Sequence, residues 1–261
     1  MSTQLPAVLI TGASTGIGAI YADRFAHRGH DLVLVARDES RMRALADRLE
    51  QEAGVKIDVI KADLTSPADL ARVESRLRED DRIGVLVNNA GVAAHGSFAN
   101  PDLDSIENLL RLNITAPTRL TGAVIPRYLR QGGGAIINIA SVVALAPELP
   151  LGAYGATKSY VLALSQNLQN ELGPRGIYVQ AVLPAATRTE IWERSGRDVN
   201  ALGPVMDVNE MVDAALVGFD QREAVTLPSL PDVEQWRAFD AARRAMLPNF
   251  SNAHAAERYL K

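Results

Sequence analysis

Residues 7–18 read AVLITGASTGIG: a short apolar run that passes directly into Gly12, Gly16 and Gly18. Ala7–Thr11 has the length and composition of a buried strand, and Ile17, Ile20, Tyr21 and Phe25 then recur at helical spacing. A strand-to-helix turn made of glycine lets the backbone approach a pyrophosphate. The helix start adds unpaired N–H groups and the positive end of its dipole. The spacing is Gly-x3-Gly-x-Gly, and no Lys-Ser/Thr pair follows, which excludes a nucleoside-triphosphate loop. Gly12, Ser14, Thr15, Gly16, Ile17 and Gly18 are therefore the candidate cradle of a dinucleotide. The plainer alternative is a tight turn that needs small residues.

The same alternation continues outward. Buried strands are expected at 31–36, 55–62, 83–88, 135–139 and 178–183, with a short one at 224–227. Helical patterns separate them: Met42, Leu45, Ala46 and Leu49 before Gly54, then Leu70, Val73 and Leu77 after the cap pair Ser66-Pro67. Further helices are expected at roughly 105–130, 153–172, 208–219 and 233–246. Strands alternating with helices imply parallel βαβ units, and strands apolar on both faces imply a sheet covered on both sides. One doubly wound α/β domain over residues 1–261 is expected. Residues 187–206 carry few periodic signals and read as a mobile segment over a site, and 228–261 as a C-terminal helix and tail.

Composition narrows the function classes. The chain has 261 residues, 27 basic and 31 acidic side chains, and a net charge of −4. That balance argues against an electrostatic nucleic-acid binder. There is no cysteine, so thiolate chemistry and Cys-ligated metal are excluded, and His27, His30, His95 and His254 lack metal-ligand spacing. No apolar run reaches the ~20 residues of a membrane span, and the first basic residue is Arg24, so no secretory leader is expected. A soluble cytoplasmic protein is expected. The alternating charges around Arg72, Arg76, Arg78, Arg82, Glu74, Glu79, Asp80 and Asp81 read as a solvated helix face.

Two further positions give the glycine turn its chemistry. Arg37 follows the second strand, 19 residues after Gly18, where an NAD-binding fold usually carries an acid for the ribose 2′-hydroxyl. An arginine there attracts a 2′-phosphate and favours NADP(H) over NAD(H), unless Asp38 neutralises it or reaches the ribose instead. Tyr154 and Lys158 lie four apart, so in a helix they share a face about 6 Å apart along its axis. A phenol near an ammonium and an oxidised nicotinamide is stabilised as phenolate, which makes it a general acid–base for a carbonyl/alcohol pair.

These residues together resemble the short-chain dehydrogenase/reductase family over roughly residues 5–190. The likeness rests on the glycine motif, on Asp63-Leu64, on Asn88-Asn89-Ala90-Gly91, on Asn113 in Leu-Asn-Ile, on Ser141 thirteen residues before Tyr154, and on Tyr154-Gly-Ala-Thr-Lys158. The resemblance implies a Rossmann fold with strand order 3-2-1-4-5-6-7 and a site at the carboxyl ends of the strands. It implies that Asp63 and Leu64 contact adenine and that Asn89, Ala90 and Gly91 line the cofactor. Ser141 would orient the substrate oxygen and Tyr154 would exchange its proton. Lys158 would bind the nicotinamide ribose and lower the Tyr154 pKa, and Asn113 would hold a relay water. Asn88 would tie strands together.

Two departures from the family pattern follow. Pro184-Ala185 stands in place of Pro-Gly, with Pro184, Thr187 and Thr189 left to hold the nicotinamide end. The C-terminal stretch Ala-Val-Thr-Leu-Pro-Ser-Leu-Pro replaces the motif that helps many members form tetramers, so a homodimer through the helices at 105–130 and 153–172 is expected. The substrate wall is expected from Ala93, His95, Val143, Leu149, Ile191 and Trp192, which suit an uncharged, moderately hydrophobic ketone or aldehyde. The competing readings are an NAD(H)-dependent alcohol dehydrogenase, a nicotinamide-binding sensor without chemistry, and a lyase or epimerase on the same fold.

Overall fold

Seven apolar runs pair side by side in the computed structural model, which describes residues 5–93, 101–194, 198–201 and 203–260. The strands are β1 (Ala7–Thr11), β2 (Leu32–Ala36), β3 (Ile57–Lys61), β4 (Ile83–Asn88), β5 (Gly134–Ile139), β6 (Ile177–Val182) and β7 (Val225–Thr226). All neighbours are parallel, in the order β3-β2-β1-β4-β5-β6-β7. This is the doubly wound Rossmann sheet that the sequence predicts. β1 has β2 on one side and β4 on the other, so the connections leave its carboxyl end in opposite directions and open a crevice there.

Period-two alternation splits the core into two layers. Val8 and Ile10 of β1 face one layer, where α1 (Gly16–His27), α2 (Glu39–Ala53) and α8 (Val208–Asp220) bury Tyr21, Phe25, Met42, Leu49, Met211 and Leu216. Ala7 and Leu9 face the other layer, where α3 (Pro67–Glu79), α5 (Ala116–Gln131) and α6 (Gly152–Leu172) bury Leu70, Leu77, Leu120, Val124 and Leu168. The local stop and start signals act as expected. Ser66 accepts from Asp69 N with Pro67 in the first turn of α3, and α2 ends at Gly54, whose φ of 69° suits glycine.

Three local expectations need correction. β3 is the sheet edge: Ile57, Asp58, Val59 and Ile60 are half-buried and Lys61 is exposed, so this strand is not apolar on both faces. The single helix expected at 105–130 is instead α4 (Leu103–Leu110) and α5, joined by a π-helical turn at Arg111–Thr115. Glu74 does not belong to a solvated face. It is 3% exposed and accepts from Arg119 at 2.5 Å and Arg78 at 2.7 Å, because α5 lies across that side of α3.

The chain divides into two compact units, Met1–Pro228 and Ser229–Lys261. In the second, Asp232 caps α9 (Val233–Ala245), and Trp236 and Phe239 stack with ring centres 5.7 Å apart. Among the described residues no helix is long and apolar enough to cross a membrane.

Candidate active site

The crevice at the carboxyl ends of β1, β4, β5 and β6 opens into one continuous cavity of about 1420 Å³. Its floor is the glycine turn. The backbone leaves β1 through Gly12 at φ +67° and enters α1 at Gly16 at φ +57°, a region that L side chains rarely adopt. Space is as restrictive as conformation. A Cβ built on Gly12 would lie 2.8 Å from Asn89 Nδ2 and 2.9 Å from Ala90 Cα. Asn89 holds the turn down by donating to Thr11 O at 2.8 Å and Gly12 O at 3.2 Å, while Asn89 N and Ala90 N both donate to Thr11 Oγ1 at 3.0 Å. Gly18 does not reach the cavity. It is buried below the turn, where any Cβ would collide with Gly12 O.

At one end of the cavity stand Arg37, Asp63 and Leu64. Asp38 is committed elsewhere: it caps α2, accepting from Arg41 N at 3.0 Å and Ser40 Oγ at 2.8 Å. Arg37 is exposed and makes no ion pair or hydrogen bond among the described residues, and its charge helps to lower Asp63. Burial raises the Asp63 carboxyl, but two hydrogen bonds from Thr65 and the nearby Arg37 together hold it below the usual range. This end therefore carries an exposed, unpaired guanidinium beside a small acidic shelf.

The other end is built from side chains. Ser141 follows β5, donates to Pro184 O at 3.2 Å and accepts from Val143 N at 3.4 Å. Tyr154 and Lys158 project from α6, with Lys158 Nζ 5.7 Å from the Tyr154 ring centre. Lys158 is buried, and its ammonium donates to Ile139 O at 2.8 Å. Burial pulls Lys158 down to about 8. Burial pushes the Tyr154 phenol up to about 12, against a hydrogen bond with Ser141 that pulls it back. In the protein alone burial is the larger influence on Tyr154, whereas the expected lowering calls on an oxidised nicotinamide as well as the Lys158 ammonium.

Asn113 is the second predicted residue off the cavity wall. The π turn swings its amide inward, where Nδ2 donates to Val92 O at 2.9 Å and Thr157 Oγ1 at 3.2 Å, and Oδ1 accepts from Val92 N at 3.0 Å. A Cβ on Gly91 would lie 3.2 Å from Asn113 Oδ1 and 3.8 Å from Lys158 Nζ, so Asn113 stands just behind the wall that Gly91 and Lys158 line. Asn88 joins β4 to its neighbours, donating to Asn138 Oδ1 at 2.9 Å and Thr121 Oγ1 at 3.1 Å.

The remaining predicted residues distribute as follows. Ser14, Thr15, Ile17, Asn89, Ala90 and Gly91 line the floor, and Pro184, Thr187 and Thr189 the far wall. Ala93, Val143, Leu149, Ile191 and Trp192 line the apolar end. His95 lies outside the described residues. Sequence reasoning missed Val92, Asn108, Leu112, Pro150, Leu151 and Ala186 in the same wall. Asn108 and Leu112 sit one turn and one residue before Asn113, and only the π turn brings that surface to the cavity.

Comparison with known proteins follows the same outline. Residues 6–200 match the family model for short chain dehydrogenases. The structure superposes with a TM-score of 0.96 on a short-chain dehydrogenase from Sphingobium yanoikuyae in complex with NADPH, at 62% identity over 98% of this chain and 100% of that one. It superposes at 0.92 on a bulky-bulky ketone specific alcohol dehydrogenase from Comamonas testosteroni, at 58% identity over 99% and 100% of the two chains. A very-long-chain 3-oxoacyl-CoA reductase from Danio rerio is 36% identical over 187 residues, 70% of this chain but 60% of that protein, so the chain matches under two thirds of that relative's length. On its glycine turn, its seven-stranded topology and these matches, the chain belongs to the short-chain dehydrogenase/reductase family of oxidoreductases.

Proposed function

We propose that the protein is an NADP(H)-dependent reductase of bulky, uncharged ketones, running the reverse alcohol oxidation with the same groups. The observation that carries the reading is the cavity that joins exposed Arg37 at one end to Tyr154, Ser141 and an apolar wall at the other. The residues suit the dinucleotide. The turn leaves no room for a Cβ at Gly12, and the free guanidinium at Arg37 matches a 2′-phosphate with Asp38 occupied in its cap. Likeness to a protein crystallised with NADPH and to one specific for bulky-bulky ketones supports the same assignment.

The bound nicotinamide supplies or accepts the hydride. Arg37 holds the adenine-side phosphate, and Lys158 the nicotinamide ribose. Tyr154, held as a neutral phenol by burial, is poised to give its proton to a carbonyl oxygen that gains negative charge. Ser141 turns its hydroxyl from Pro184 O to that oxygen and fixes its position. Lys158, with Asn113 beyond it on the far side of Gly91, would return a proton to Tyr154. Val143, Leu149, Leu151, Ile191 and Trp192 offer a wide apolar surface to the two substituents of the ketone.

The test is a cofactor-by-substrate screen. NADPH and NADH consumption are followed against aliphatic and diaryl ketones, aldehydes, diketones and 3-oxoesters. The reading expects NADPH-dependent turnover, fastest with ketones carrying two large substituents. Turnover confined to NADH, or to small or charged carbonyls, would contradict it. We also propose a homodimer through α4, α5 and α6, where Leu103, Leu110 and Tyr160 stand exposed. Light scattering after size exclusion should give twice the chain mass, and a clean monomer at micromolar concentration would rule it out.

A further inference from the structure

Arg41 and Glu190 lie 149 residues apart and meet at the cavity's edge. Arg41 Nη1 donates to both carboxylate oxygens of Glu190, at 2.8 and 2.9 Å. The arginine sits in the first turn of α2, fixed there because its backbone N–H donates to the Asp38 cap. Glu190 belongs to the segment that leaves β6. That segment is anchored behind by the Trp192 indole, which donates to Thr187 O at 2.7 Å, and by Arg188 N and Met206 N, which bond across to Met206 O and Ala186 O at 2.9 Å.

At Thr189 the segment passes close over the glycine turn. A Cβ on Gly16 would lie 3.2 Å from Thr189 Cγ2. Gly12, Thr15 and Gly16 line one wall of the cavity here, and Thr187, Thr189 and Glu190 the other. A dinucleotide reaching from Arg37 to Tyr154 has to pass between them.

We propose that Arg41 and Glu190 form a strap across the cofactor groove: the ion pair ties the segment after β6 to the start of α2 and sets the rate at which bound dinucleotide leaves. Arg41 acts through Glu190 and not on the 2′-phosphate, which falls to Arg37. The strap is therefore indifferent to the phosphate and retains NADPH and NADH alike. It rests on the cofactor assignment above, and unmodified protein serves as the control for that assignment.

The experiment measures dissociation of NADPH and of NADH by stopped flow, through loss of nucleotide fluorescence on chase with excess oxidised cofactor. It compares wild type, Arg41→Ala, Glu190→Gln, the double variant and the exchange Arg41→Glu/Glu190→Arg, with circular dichroism to verify folding. Each single variant should release both nucleotides about two- to five-fold faster, the range of an exposed ion pair. The double variant should release them no faster than either single one, and the exchange should restore the slow rate. Raised salt should quicken the wild type toward the variants and leave the variants unchanged. Faster release of NADPH alone in Arg41→Ala, with Glu190→Gln unaltered, would make Arg41 a phosphate ligand and overturn the strap. Additive losses, or an exchange variant as fast as the singles, would overturn it equally. Binding of neither nucleotide to wild type would remove the cofactor assignment and the strap together.

Discussion

The two ends of the cavity are built from different materials. The nucleotide end is backbone: Gly12 and Gly16 at positive φ, the Asn89 amide stitched to Thr11 O and Gly12 O, and a helix start. The side-chain charges that bear on the nucleotide there are the exposed Arg37 and the half-buried Asp63. The carbonyl end is side chain: Ser141 after β5, Tyr154 and Lys158 on α6 and Trp192 beyond β6, with Asn113 of the π turn behind the wall. Backbone sites tolerate little change in residue size but need no tuning of protonation. Side-chain sites are bought with buried charge, and Lys158 shows the cost.

The largest expected effect falls on that lysine. Lowering an amine from 10.5 to about 8 means that its charged form is penalised in the folded chain, which disfavours folding by roughly 2–4 kcal/mol below pH 8. Lys158→Met should therefore abolish turnover yet raise stability by that order at pH 7. The sign of the pH dependence follows. The penalty is fully present below pH 8 and fades toward 10.5, so the two denaturation curves should converge as pH rises. A variant less stable than wild type at pH 7 would break the contrast, since Lys158 would then be part of the packing and not a strained functional group. Ketone reduction by the wild type should likewise fall as pH climbs through about 8 and Lys158 loses its proton.

Arg37→Ala comes next. It should weaken NADPH by about 1.5–3 kcal/mol, as for a lost hydrogen bond to a charged group, and leave NADH nearly unchanged, measured by fluorescence titration. Equal losses for both nucleotides would show that the guanidinium serves the fold. Gly12→Ala sharpens the backbone half. Strain at φ +67° and the approach of Asn89 should remove about 1–3 kcal/mol of stability and nucleotide binding with it, whereas Tyr154→Phe and Ser141→Ala at the carbonyl end should leave binding nearly unchanged. The smallest effect is Trp192→Phe, which removes the indole hydrogen bond to Thr187 O. A cost of about 0.5–1.5 kcal/mol, read as a rise in KM for bulky ketones, is expected.

The same contrast explains what the sequence made legible. The glycine turn, the strand alternation and the Ser66 and Gly54 signals are local, because each residue type answers a demand made within a few positions. The order of the sheet and the pairing of Ser141 with Tyr154 and Lys158 came through resemblance in motif. What stayed hidden depends on distant segments meeting. Glu74 is buried only because α5 crosses α3, Asn108 and Leu112 reach the cavity only through the π turn, and Arg41 finds Glu190 only across the groove. Charge and apolarity at those positions fit a surface helix equally well. The burial of Tyr154 and Lys158 is hidden for a related reason: spacing along α6 shows the neighbouring ammonium but not how deeply both groups are desolvated.

The central claim is that one end of the cavity binds and the other end does the proton chemistry. The most direct test is Tyr154→Phe, assayed for NADPH affinity and for reduction of a diaryl ketone in the same preparation. Loss of the proton donor should lower turnover by about 10²- to 10⁴-fold, while the NADPH dissociation constant stays within twofold of wild type. Turnover that survives the substitution, or affinity that collapses with it, would contradict the account.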